Sequence, residues 1–162
     1  EIGSMGATGM QSRYFENVVA EVMNLTGQYS ELALRRCLQN SHMLSSDVSA
    51  AFDPNYASAF EKKNIAYLGR GMVFNNDACA EYIGALRKVM DDASVNWQTA
   101  ELGKVDQGGG GTIAYITANY GMDVIDSGVA LLNMHSPWEV SSKADIYEAY
   151  RGYKAFQKAE WN

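Results

Sequence analysis

The sequence predicts an α/β protein, a layered sheet covered by helices on both faces, and two observations predict it. Apolar residues recur at i, i+3, i+4 spacing in several separate stretches, the signature of amphipathic helices. Between those stretches lie short apolar runs bounded by Gly, Ser and Asn, which read as strands. The 162 residues, 47% of them hydrophobic, are enough for one domain with a real core.

The elements follow in order. The first nine residues are rich in Gly, Ser, Ala and Thr and read as the end of a strand and a tight turn. A helix follows from Gln11, with Phe15, Val18, Val19, Val22 and Met23 on its apolar side, Ser12 as N-cap and Thr26-Gly27 as its end. A second runs from Ser30 to Gln39 with Leu32, Leu34 and Leu38 inward. Residues His42 to Asp47 read as a short buried strand ending at a carboxylate. Residues 48–70 read as irregular, with a turn at Asp53-Pro54-Asn55-Tyr56.

Gly71 to Phe74 is a strand. Ala78 to Ala93 is a third helix capped by Asp77, with Ala78, Tyr82, Leu86 and Val89 on one face. Trp97 to Glu101 is a strand. The glycine run 108–111 leads into a helix from Thr112 to Tyr120. Met122–Asp126 and Val129–Leu132 are two short strands. Ser141 to Lys158 closes the chain as a helix with Ile146, Tyr150, Tyr153 and Phe156 inward.

Composition narrows function by exclusion. The net charge is −6, and no Lys/Arg-rich block is present to neutralise phosphates, so nucleic acid is not an expected partner. The same balance disfavours an anionic membrane surface. No apolar run is long enough to span a bilayer, and no signal peptide is evident, so the expectation is a cytoplasmic protein. The two cysteines, Cys37 and Cys79, lack CxxC spacing and read as buried free thiols.

Three dispersed segments carry chemistry. Glu1 opens a run of small residues, which let a backbone pass close to a metal or substrate. Asp47 closes an apolar strand, and ligands collect at strand ends in open α/β sheets; a turn or cap aspartate is the bland alternative. His135 follows another apolar strand, where a satisfied core histidine is the alternative. Carboxylate oxygen and imidazole nitrogen both bind Zn²⁺ near 2 Å, so Glu1, Asp47 and His135 are candidate metal ligands. His42 reads as structural. The glycine run could hold an anion at the following helix start. It is neither a P-loop nor GxGxxG. A tight loop presenting Gly109, Gly110, Gly111 and Thr112 to a substrate carbonyl fits it better. No GxSxG nucleophile elbow occurs.

The stretches EIGSMGATG, SSDVSAAFDPNY, QTAELGKVDQGGGGTIA and GMDVIDSGVALLNMHSPWEVSSKADIY together resemble the aspartyl aminopeptidase (aminopeptidase I) family of co-catalytic zinc exopeptidases, in its bacterial, clostridial-type branch. The resemblance implies a three-layer α/β/α zinc-exopeptidase sheet, present here as a partial domain. Residues 1–162 would be the C-terminal part of the catalytic domain, without the oligomerisation domain or the N-terminal catalytic segment. It implies two zinc ions per site, with cobalt or manganese as substitutes, a peptide substrate and a homo-oligomeric parent.

In that family a Glu-Glu pair precedes Ile-Gly-Ser. Glu1 matches the second, a metal ligand; the first, the general base, would immediately precede Glu1. The family's Ser-x-Asp carboxylate falls on Asp47 and its Met-His-Ser histidine on His135. A further histidine and a bridging carboxylate come from earlier in the family's chain. The polypeptide alone is therefore expected to be inactive, and a non-catalytic α/β scaffold without metal is the alternative. A small-ligand module built on the glycine run is a weaker reading. Two departures from the family pattern stand out, the first touching a histidine of the active site or neighbouring subunit and the second a loop whose basic residue could select acidic substrates. Ala50 stands where many relatives have a histidine, and Asn75-Asn76 runs straight into Asp77 where relatives have a Gly/Lys-rich loop.

Overall fold

The computed structural model describes residues 5–75, 78–101, 103–104 and 114–161. The helices are α1 (Tyr14–Leu25), α2 (Glu31–Gln39), α3 (Ala80–Asp92), α4 (Ala114–Ala118) and α5 (Lys143–Lys158). The strands are β1 (His42–Ser46), β2 (Ser49–Ala50), β3 (Met72–Asn75), β4 (Trp97–Ala100), β5 (Asp123–Gly128), β6 (Ala130–Leu132) and β7 (Val140–Ser141). A 3-10 segment covers Pro54–Ala59. Among the described residues no helix is long and apolar enough to cross a membrane.

The strands form a four-stranded sheet in the order β1-β5-β3-β4 and a three-stranded sheet in the order β2-β6-β7. β3 pairs parallel with β4 and antiparallel with β5, so the larger sheet is mixed. β2 pairs parallel with β6, and β6 pairs antiparallel with β7. The expected α/β class is thus present. β2 arises inside the stretch read as irregular, and β7 lies just before and at the expected start of the last helix; strands of two residues are too short to show a period.

The chain divides into two compact units: Glu1–Met43 with Ile113–Val124, and Leu44–Thr112 with Ile125–Asn162. In the first, Leu34 and Leu38 of α2 pack with Ala114, Met122 and Val124, and Phe15, Val19, Ala20 and Met23 of α1 join them. The helix period there is read correctly, but its width is not. Leu32, expected inward, is 56% exposed, and Val18 and Val22 of α1 also face out. Ser12 accepts from the Tyr14 N–H at 3.2 Å, although the residue flanking α1 is Arg13.

In the second unit strand alternation sorts β3. Met72 and Phe74 point to a cluster with Tyr82, Leu86 and Met90 of α3 and Ala149 of α5. Val73 points the other way, to Ala51, Ala66, Ala100 and Ala130. The inward face of α5 differs from the expectation. Its buried residues are Asp145, Ala149 and Gly152, while Ile146 and Tyr150 are more than half exposed. Asp145 is fully buried because its carboxylate accepts the Gly69 N–H at 2.7 Å and the Gly71 N–H at 2.8 Å. Small residues at 149 and 152 then let the helix approach Met72 closely. Tyr153 and Phe156 pack against the same cluster as expected, so the misreading is confined to Ile146 and Tyr150.

Both cysteines are exposed, correcting the expectation of buried thiols. Cys37 lies beside, not on, the Leu34/Leu38 stripe, and Cys79 is the residue flanking the start of α3. The expected cap Asp77 lies outside the described residues.

Candidate metal and substrate site

Asp47 sits at the break between β1 and β2. Its N–H donates to the Ser127 carbonyl at 3.1 Å, and the ladder resumes with Ser49 N–H to the Val129 carbonyl at 2.9 Å. Gly128 lies against this break: a Cβ there would come 1.5 Å from the Asp47 carbonyl oxygen. Only a residue without a side chain allows the two strands to meet here. Asp47 is exposed, and its Oδ1 accepts the Val48 N–H at 2.8 Å. Next to it, the Ser46 hydroxyl shares a 2.7 Å hydrogen bond with the Tyr153 hydroxyl of α5, tying the end of β1 to that helix.

His135 lies in the loop 133–139 between β6 and β7, whose base is closed by the Leu132–Val140 pair. Asn133 and His135 both have left-handed backbones, with φ of 58° and 66°. For residues other than glycine this conformation costs about 1–2 kcal/mol each, so neighbouring contacts must hold it. Ser136 does part of this. Its hydroxyl donates to the Asn133 carbonyl at 2.7 Å or to the Trp138 carbonyl at 3.0 Å, and its N–H reaches Asn133 at 3.0 Å. Glu139 contributes as well, accepting the His135 N–H through Oε1 at 2.6 Å.

Asp47 thus lies at the break between β1 and β2, beside Gly128, whereas His135 lies beyond the end of β6; both residues are exposed. Glu1, Gly109, Gly110, Gly111 and Thr112 lie outside the described residues. Among the described residues, no three His, Cys, Asp or Glu side chains are grouped to hold a metal ion. The donors present suit zinc: an exposed carboxylate and an exposed imidazole are the oxygen and nitrogen ligands it takes.

Sequence reasoning did not single out Gly128, Glu139 or the buried Asp126 of β5, which is 4% exposed. A glycine between two apolar strand runs was the available signal for the first. A cavity of about 510 Å³ lined by Tyr67, Arg70, Trp97 and Gln98 opens at the starts of β3 and β4. That is the wrong end of parallel strands for a ligand site.

Residues 1–157 match the family described as aminopeptidase I zinc metalloprotease (M18). The chain belongs to this family of metalloaminopeptidases. It is 67% identical over 167 residues to a probable M18 family aminopeptidase 1 of Clostridium acetobutylicum, covering 96% of this chain and 36% of that one. The crystal structure of aminopeptidase I from the same organism superposes with a TM-score of 0.86 at 63% identity, over 98% of this chain and 36% of that one. The M18 aminopeptidase of Thermotoga maritima superposes with a TM-score of 0.91 at 43% identity, over 95% and 37%. The chain thus spans a little over a third of the length of these relatives.

Proposed function

We propose that this chain supplies part of the active site of a zinc-dependent aminopeptidase that releases N-terminal amino acids from peptides, acidic ones being the substrate class to test first. The observation that carries the reading is membership of the M18 family over residues 1–157, with Asp47 and His135 as two exposed zinc-type donors. Glu1, Asp47 and His135 are the proposed ligands. Two ions per site are proposed, with cobalt or manganese as replacements.

Zinc, when bound, supplies Lewis acidity and a water acidic enough to attack at neutral pH. The chain's own groups do the rest. Asp47 and Glu1 contribute anionic oxygens and His135 a neutral ring nitrogen. Gly109, Gly110, Gly111 and Thr112 are proposed to present backbone N–H groups to the substrate.

Residues 1–162 are proposed to be the C-terminal part of the catalytic domain. The full-length protein is proposed to be cytoplasmic and homo-oligomeric; the acidic composition and the exposed apolar side chains of α1 support this. The test is zinc content and aminopeptidase activity of the full-length protein containing this sequence, with Asp47→Asn and His135→Ala variants. Loss of zinc together with a fall in kcat/KM of about a hundredfold or more is expected, since removing a ligand should cost at least as much as removing a group that merely supports one. A native protein that binds no zinc would end the proposal in favour of a scaffold.

A further inference from the structure

We propose that Glu139 is a positioning residue for His135: its carboxylate clasps the His135 N–H and holds the histidine in the backbone conformation from which it reaches a metal. This rests on the reading of His135 as a ligand. Three observations carry it. His135 adopts a left-handed backbone, φ 66°, that a non-glycine residue does not keep without support. The bond that supports it is short, 2.6 Å from the His135 nitrogen to Glu139 Oε1. A charged acceptor makes such a bond about twice as strong as a neutral one.

Glu139 is well anchored for the task. It directly precedes Val140, which pairs with Leu132 at the mouth of the hairpin. The clasp therefore spans from the fixed base of the loop to its far side. Ser136 bridges the same loop through the Asn133 and Trp138 carbonyls, but neither contact touches His135 itself. Groups that orient a metal ligand without touching the metal commonly change metal affinity by about 10–100-fold.

The experiment uses the full-length protein containing this sequence and measures zinc affinity by competition with a chelator, alongside urea unfolding of the metal-free protein. Glu139→Ala is expected to weaken zinc binding about tenfold, while the metal-free protein still unfolds cooperatively at a midpoint lowered only by the loss of one exposed loop bond. Glu139→Gln keeps an oxygen acceptor and is expected to stay within about threefold of the native affinity. If the two variants lose zinc equally, the negative charge matters and the clasp does not, and the inference is overturned. Unchanged affinity in Glu139→Ala overturns it too, provided His135→Ala in parallel loses zinc. If His135→Ala also keeps full affinity, the reading of His135 as a ligand fails, and the inference falls with it.

Discussion

Gly128→Ala should dislodge Asp47. The added Cβ would lie 1.5 Å from the Asp47 carbonyl oxygen and 2.6 Å from its carbonyl carbon, whereas ordinary contact begins near 3.4 Å. The obstacle is backbone, so no side-chain rotation relieves it. The two strands must part by roughly 1.9 Å, the shortfall between those distances. That opening breaks the adjacent bonds from Asp47 to Ser127, now 3.1 Å, and from Ser49 to Val129, now 2.9 Å. Each buried backbone bond left unmade costs about 1–3 kcal/mol, so the loss should be about 2–6 kcal/mol. That is a large share of a stability of about 5–15 kcal/mol.

The assay is urea unfolding of the full-length protein, comparing midpoints at constant m, with zinc retention during dialysis measured beside it. Gly84→Ala is the control. It lies in α3 with nothing within 4 Å of an added Cβ, and should stabilise by about 0.5–1 kcal/mol. An unfolding midpoint and zinc retention for Gly128→Ala equal to the native values would refute the reasoning.

Further expectations follow from neighbouring contacts. Asp145→Ala leaves the Gly69 and Gly71 N–H groups without their acceptor and should cost about 2–5 kcal/mol by urea unfolding, with Asp145→Asn near half that because one oxygen remains. Gly152→Ala places a Cβ 2.3 Å from the buried Met72 sulfur and should cost about 1–3 kcal/mol, the usual range for overpacking. Glu148 is opposed by burial, but the Asn96 N–H and Arg151 hold its carboxyl below the ordinary value of 4.5. Its stabilisation should therefore be complete above pH 4.5 and fade as pH falls through the lowered value, so Glu148→Gln should lower the unfolding midpoint at pH 7, and the difference from native should shrink steadily as pH is taken below 4.5.

The α/β class, the five helices among the described residues and most strands were legible because each rests on local period and on punctuation by Gly, Ser and Asn. Asp47 and His135 were legible as candidates because each closes an apolar run, and the motifs around them point to the M18 family. The rotation of α5 was not. Its apolar residues at 146 and 150 suggest one face, but a helix packs where a neighbour can approach, and Ala149 and Gly152 allow the approach to Met72 that larger residues forbid. The buried carboxylate of Asp145 reinforces that choice through hydrogen bonds to residues more than seventy positions away.

By itself, then, the sequence determined which segments are helix or strand, which family they compose and which residues carry zinc-type donors, because these properties belong to residues near one another in the chain. Only the tertiary structure decided that Gly128 must be bare beside Asp47, that Glu139 reaches back to the His135 backbone, and which stripe of α5 is buried. Those depend on the distance of closest approach between backbones, and on side-chain reach across a loop, which no period along the chain records.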